Sequence, residues 1–242
     1  MRVLAFALAL LPGAAAQAAC RDLTFEAAPY TVCEAHQGED LRLFLNGPTG
    51  PYGGFGPLQQ DLARRDETLA FAMNAGMYQP DLSPVGLFIE NGDQLAPIVT
   101  SDGPGNFGLL PNGVFCIGAK FQVVESRRFA KASPDCTFAS QSGPLLVIAG
   151  RLHPLFKPGS DSLHIRNGVG VSADGKTAYF AISNRAVNFA AFARLFRDAL
   201  GTPDALYFDG SVSRLFAPEL GRAGSGFAIG PIVGLVLPKG SN

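Results

Sequence analysis

The sequence predicts an α+β fold: mostly antiparallel or mixed β-sheets made of successive hairpins, with one or two covering helices. Three observations carry that expectation. Gly (29) and Pro (18) are plentiful, Phe (19) dominates the aromatics and Trp is absent, a composition of short strands and turns rather than of a helical bundle. Turn dipeptides such as Asn91-Gly92 and Asp174-Gly175 recur between apolar runs. A single strong helix-period stripe stands among them, from Phe189 to Leu200.

The elements follow in order. Arg2 precedes an apolar run at residues 3–11, which Pro12-Gly13 break before the small-residue stretch 14–19 with Ala16-Gln17-Ala18. The run is too short to span a bilayer as a helix, and the layout is that of a cleavable signal peptide over residues 1–19. No later segment is long and apolar enough for a transmembrane anchor, so residues 20–242 are expected to form one exported, periplasmic or secreted domain.

Residues 41–45 read as a strand and 46–57 as a turn-rich stretch. Leu58 and Leu62, with charges between them, predict a surface helix over 58–69, after which 71–73 returns to strand. Hairpins are expected at 85–90 with 94–99 around Asn91-Gly92, and at 107–110 with 114–117 around Pro111-Asn112-Gly113. A further turn falls at Ala149-Gly150 after the run 145–148. The clearest hairpin pairs 168–172 with 177–183 around Asp174-Gly175. Asn188 is placed to cap the helix that follows, and Gly201 and Pro203 to end it. Residues 205–208 and 232–237 read as strands.

Charge is nearly balanced, with 19 Lys plus Arg against 20 Asp plus Glu, and no basic run marks a nucleic-acid partner. Four cysteines in an exported chain read as two disulfides. Three connectivities are possible; pairing of sequence neighbours gives Cys20–Cys33 and Cys116–Cys136. No cysteine or histidine spacing suits zinc. Residues 168–173 match G-x-G-x-x-A, but Asp174-Gly175 turns the chain into another strand where a dinucleotide site needs a helix. Neither a P-loop nor a G-x-S-x-G elbow is present.

The informative residues are polar groups beside glycines at the ends of apolar strands. They are Asn74-Ala75-Gly76, Gln141-Ser142-Gly143-Pro144, Arg166-Asn167-Gly168 and Asp209-Gly210-Ser211-Val212-Ser213. Glycine admits a ligand close to the backbone, and strand ends are where rigid scaffolds present reactive groups.

These strings resemble the phosphodiester glycosidase family, whose bacterial members are often labelled exopolysaccharide-biosynthesis-like proteins; the resemblance covers roughly residues 69–237. The family's Asn-Gly-Gly-aromatic-Phe string is similar to residues 74–78, and its glycine-bounded hairpin to Gly86 through Gly92. Its Phe-Gly with a following glycine turn resembles residues 107–113, and its Ser-Gly-x-x-Leu segment resembles residues 142–146. Arg166 through Gly170 resembles its Arg-Thr-Ala-Ile-Gly string, and residues 208–213 resemble the Leu-Asp-Gly-Gly-Gly-Ser hallmark. Gly210-Ser211-Val212 replaces the triple glycine, Ser183-Asn184 stands where the family often has Asp-Gly, and Ala75 and Met77 replace a glycine and an aromatic.

The resemblance implies hydrolysis of a sugar-1-phosphodiester. Breaking the C1–O–phosphate bond develops positive charge on the sugar and negative charge on the phosphate, so an anion clamp and a carboxylate are needed. Arg166 is expected to clamp the phosphate, because a guanidinium matches its oxygens bidentately. Asp209 is expected to be the catalytic carboxylate, with Glu90 or Asp161 as a second acid. Asn74, Gly76, Ser142, Asn184, Gly210, Ser211 and Ser213 are the expected substrate contacts. No loop has a recognisable metal spacing, although Asp161, Asp209 and nearby carbonyls are candidate ligands for Ca²⁺ or Mg²⁺. The alternative reading is a non-catalytic periplasmic glycan-binding or polysaccharide-assembly protein on the same fold.

Overall fold

A computed structural model describes residues 19–209 and 212–240. Three antiparallel sheets and a short ribbon organise the chain. The largest sheet has seven strands in the order β1 (Cys20–Phe25), β2 (Ala28–His36), β15 (Thr177–Ser183), β14 (Asn167–Val171), β16 (Asp204–Tyr207), β12 (Leu145–Ile148) and β13 (Arg151–Leu152). A five-stranded sheet runs β10 (Phe121–Glu125), β9 (Gly113–Ile117), β11 (Phe138–Ser142), β7 (Phe88–Glu90) and β8 (Asp93–Ala96). The third runs β18 (Arg222–Ala223), β17 (Leu215–Ala217), β6 (Glu67–Asn74), β19 (Ile232–Pro238) and β3 (Asp40–Phe44). The strands β4 (Asn46–Gly47) and β5 (Gly50–Pro51) form the ribbon.

The abundance of phenylalanine has a structural reason. Each sheet sends one ring to a common centre: Phe71 from β6, Phe115 from β9 and Phe180 from β15. Phe180 lies 5.4 Å from Phe71 and 5.7 Å from Phe115, centroid to centroid. Phe208 joins them 6.4 Å from Phe115. All four are fully buried, and each such ring contributes about 1.5–3 kcal/mol. The outer face of each sheet is covered by a helix. α1 (Phe55–Ala63) buries Phe55, Leu58 and Leu62 against Leu69, Ile232 and Val236. α2 (Ser126–Ala132) buries Phe129 against Val114 and Ala139. α3 (Phe189–Arg194) continues into a π turn at Leu195–Ala199 and packs Phe192 and Phe196 on Leu146, Val147 and Ala205.

The expected α+β class and its antiparallel hairpins are observed. Asn91 and Gly92 adopt positive φ between β7 and β8, as do Ala149 and Gly150 between β12 and β13. Asn188 caps α3 by accepting a hydrogen bond from the Ala191 amide, 2.9 Å. Both disulfides pair as expected, Cys20 with Cys33 and Cys116 with Cys136.

Two expectations are corrected. The helix predicted over 58–69 starts at Phe55 and stops at Ala63, because Glu67–Asn74 is a central strand held by β17 and β19 on either side. The alternation of Leu69, Phe71 and Met73 outweighs the leading charges. The hairpin predicted from 107–110 does not form. A cis Leu110-Pro111 bond precedes β9, which pairs instead with β10 and β11. The β1–β2 hairpin went unassigned in the sequence because its turn, Glu26-Ala27, takes positive φ without a glycine or asparagine. The expected signal peptide lies outside the described residues except for Ala19. No helix among the described residues is long and apolar enough to cross a membrane.

A candidate anion site where strand ends converge

The antiparallel registers bring ends of several strands to one place. β6 ends at Asn74, β11 at Ser142 and β15 at Ser183, while β14 starts at Asn167 and β17 at Leu215. Two buried asparagines join these ends. Asn167 Nδ2 donates to the Asn74 carbonyl at 2.8 Å and to Asn74 Oδ1 at 3.1 Å. Asn167 Oδ1 accepts from the Asp209 amide at 3.1 Å and from Ser213 Oγ at 3.2 Å. Asn74 Oδ1 also accepts from the Arg214 amide, 2.8 Å. The loop that carries Asp209 is thereby fastened at both ends, and Ser213 Oγ closes it with a 2.5 Å bond to the Asp209 carbonyl.

Asn74, Gly76 and Ser142 are scaffolding in this arrangement. Ser142 is buried, and its hydroxyl donates to the Phe208 carbonyl, 2.7 Å. Gly76 donates to Ser140 Oγ, 3.1 Å, and a Cβ there would stand 2.3 Å from the Gln141 carbonyl oxygen. Glycine is required by that close approach of two backbones.

In front of the loop is a cavity of about 540 Å³ lined by Ile165, Asn184, Ser213, Arg214, Arg222 and Ser225 among others. Asn184 and Ser213, expected as substrate contacts, are both on its wall. The two arginines were missed in the sequence, where each reads as an ordinary surface charge. Neither takes part in a salt bridge among the described residues. Arg222 Nη1 donates to Thr31 Oγ1 at 2.7 Å and to Asn184 Oδ1 at 2.6 Å, while its Nε and Nη2 make no hydrogen bond among the described residues. Arg214 Nε donates to the Gly224 carbonyl, 2.6 Å, and its Nη2 and Nη1 reach the carbonyls of Gly224 and Phe227. Burial lowers both guanidinium pKa values, with Tyr78 opposing the effect on Arg214 and Asp22 that on Arg222. Two half-dry cations, neither in a salt bridge among the described residues, suit an anionic ligand, and Asp22 is linked to Arg222 through the Thr31 hydroxyl.

Arg166, the expected clamp, does not line this cavity. Its side chain is fully buried. The Nε donates to the Val187 carbonyl at 2.8 Å and the Nη2 to the Ser162 carbonyl at 2.9 Å. The guanidinium carbon sits 3.6 Å from the centroid of the Phe189 ring. Desolvation lowers its pKa, opposed by Tyr207. It ties Ser162 to Val187 and to the first ring of α3, a position that the residue type alone does not reveal.

Asp209 is half-buried, and its charge helps to raise two tyrosine pKa values: that of Tyr78, pushed up to about 12 chiefly by burial, and that of Tyr207. Glu90 is elsewhere: it pairs with Asp93 at the turn end of β7, where the Gly92 amide binds the Thr137 carbonyl, at the opposite end of β11 from Ser142. Burial pushes its pKa up to about 7. Asp161 is exposed, and no three His, Cys, Asp or Glu residues gather among the described residues. Gly210 and Ser211 lie outside the described residues.

Comparisons with known proteins show the family of the chain. Residues 67–224 match the model of the phosphodiester glycosidase family. The chain belongs to that family. The matched span opens on β6 and closes on β18, and so contains Asn74, Asn167, Asp209, Arg214 and Arg222. A relative is the uncharacterized protein YigE of Escherichia coli (strain K12), 36% identical over 215 residues that make up 87% of this chain and 83% of YigE. Among solved structures, the fold is similar to the catalytic domain of zebrafish N-acetylglucosamine-1-phosphodiester alpha-N-acetylglucosaminidase, auto-inhibited by its pro-peptide. That match has a TM-score of 0.59 at 15% identity, covering 89% of this chain and 81% of the other. A Burkholderia pseudomallei K96243 protein described as exported matches with a TM-score of 0.56 at 12% identity, over 87% and 74% of the two chains.

Proposed function

We propose that this phosphodiester glycosidase family member is an exported hydrolase that cleaves the glycosidic bond of a sugar-1-phosphodiester, with the phosphate bound by Arg214 and Arg222. The observation that carries the reading is a pair of arginines, neither in a salt bridge among the described residues, lining one cavity with Asn184 and Ser213, beside the loop that carries Asp209.

The chemistry follows from charge. A phosphodiester brings one negative charge into the cavity, and two guanidiniums offer it charge-assisted hydrogen bonds. As the C1–O bond lengthens, the departing phosphate gains charge that the arginines stabilise. The sugar becomes cationic, and the Asp209 carboxylate stabilises it or takes a proton from the attacking water. A phosphate leaves without needing protonation as an alcohol does, which suits a site where Glu90 is remote. Export is supported by the amino-terminal signal layout, the two disulfides and the exported Burkholderia neighbour.

The test is release of free sugar from an N-acetylglucosamine-1-phosphodiester, followed by the reducing end formed. Asp209→Asn is expected to lose at least about 100-fold in kcat. Equal release by the wild type and Asp209→Asn would rule out the role given to Asp209, and glycan binding without any release would rule out the hydrolase.

A further inference from the structure

The arginine-lined cavity has a neighbour. A second cavity, of about 420 Å³, includes Leu163, Arg185 and Val187 in its wall. Two stretches of chain pass from one wall to the other. Ile165 and Asn184 line the first cavity, Leu163 and Arg185 the second, so the two adjoin along residues 163–165 and 184–185. The stretches are tied to each other: His164 and Val187 exchange backbone hydrogen bonds of 3.2 and 2.8 Å, and the Ser183 amide donates to the Arg166 carbonyl at 2.8 Å. The loop that carries Asp209 is held to the same ridge, since Ser213 Oγ donates to the Ile165 carbonyl at 3.1 Å.

The second wall differs from the first in chemistry. Its Glu26 is spent on Arg194, 2.7 Å away. Its Asn188 accepts from the Ala191 amide and donates to the carbonyls of Pro158 and Ser160. Apart from Tyr30 and Arg185, what remains is apolar: Ala28, Leu163, Ala186, Val187 and Ala191. Leu163 is 53% exposed and Ile165 37%, two of the six large hydrophobic side chains left exposed among the described residues. Single exposed apolar residues are ordinary on loops. These two stand on a fixed backbone, one in each of two adjoining cavities.

A phosphodiester carries two groups on its phosphorus, and the reading above gives one of them, the sugar, to Asp209. The other ester group needs a place next to the phosphate. The adjoining cavity is of ligand size and mainly apolar. We infer that the second cavity is the subsite for the alcohol esterified to the phosphate, and that this alcohol is aliphatic. The substrate is then an amphiphile, a sugar phosphate with a hydrocarbon chain. The inference rests on the phosphate site proposed above. Leu163 and Ala186 touch the chain rather than the reacting bond, so they determine specificity and are not catalytic.

Methyl phosphate and hexyl phosphate carry the same charge and differ in chain length alone. Each methylene taken out of water is worth up to about fourfold in affinity, so hexyl phosphate is expected to bind at least about tenfold tighter in calorimetric titration. Leu163→Ser and Ala186→Asp, both at exposed positions, are expected to bring hexyl phosphate down to the affinity of methyl phosphate. In turnover, the hexyl diester of N-acetylglucosamine 1-phosphate is expected to show a lower KM than the methyl diester, with a smaller change in kcat. Equal affinities for the two phosphates, binding of neither, a hexyl preference that survives both substitutions, or tighter binding of glycerol phosphate than of hexyl phosphate would each overturn the subsite. If the wild type hydrolyses neither diester while hexyl phosphate keeps its advantage, the subsite stands and the hydrolase fails. Hydrolysis of both diesters with one KM gives the converse.

Discussion

The Asn167 amide lies across the Asn74 backbone and side chain, and through it the seven-stranded sheet is joined to the sheet containing β6. The same amide oxygen holds the Asp209 amide and the Ser213 hydroxyl. Asn167→Ala leaves buried donors and acceptors without partners, each costing about 1–3 kcal/mol. The expected outcome is a urea midpoint shift equivalent to about 3 kcal/mol with an unchanged m value, together with loss of turnover. A variant as stable and active as the wild type would refute the joining role.

Arg166 and Arg222 are expected to give opposite readouts. Arg166→Met removes a buried cation stacked on Phe189 and leaves the Val187 and Ser162 carbonyls unpaired. It should lower stability by about 2–4 kcal/mol and leave the affinity for inorganic phosphate unchanged. Arg222→Ala should leave the denaturation curve almost unmoved and weaken phosphate binding at least about tenfold. Calorimetric titration and urea melts on both variants separate the two roles.

Glu90 makes a prediction about pH. Its ordinary value of 4.5 is raised to about 7 in the folded chain by burial, opposed by a hydrogen bond with Leu45. A carboxyl with a raised folded pKa favours the folded state at low pH. That contribution is complete below about 4.5 and is lost as pH rises through about 7. Glu90→Gln removes the dependence, so its stability relative to the wild type should rise across this window. With solvent screening the gain is about 1 kcal/mol. Parallel curves for the two proteins between those pH values would contradict the burial of Glu90.

Gly76→Ala should cost about 2–3 kcal/mol, because its Cβ would press on the Gln141 carbonyl oxygen and on Ser140 Oγ. Thermal melting is a sufficient check. An alanine that melts with the wild type would show that β11 can retreat from the 74–78 segment.

The disulfides offer a comparison between similar loops. Their cysteines are 13 and 20 residues apart in sequence. Loop-closure entropy makes each worth about 3 kcal/mol, with the longer loop ahead by about 0.4 kcal/mol. Replacing either pair by serine should therefore lower stability by similar amounts, measured by urea denaturation in the absence of reductant.

Much of this fold was legible because local chemistry and tertiary structure agree. Asp174-Gly175, Asn91-Gly92 and Asn188 each specify a turn or cap that the chain adopts. The failures are places where neighbours in space decide. Glu67 and Thr68 look like the tail of a helix until β19 is seen beside them. Asp209 and Ser213 were visible as a strand-end loop, and Asn184 as a departure from the family string. Arg214 and Arg222 were not, since the meaning of a cation depends on which groups the fold sets around it, and that is a property of the folded surface. Arg166 shows the converse: the residue type suited a clamp, and α3 covers it.

The pair of cavity arginines has a consequence for how the proposed reaction would end. A phosphodiester enters with one negative charge, but the monoester left by glycosidic cleavage carries up to two near neutral pH, since its second ionisation lies at about 6. On the proposed reading, the cavity would hold the phosphate group of what it makes more firmly than that of what it takes in. Departure of the phosphomonoester would limit the turnover rate, and accumulated monoester would throttle the protein in its own compartment.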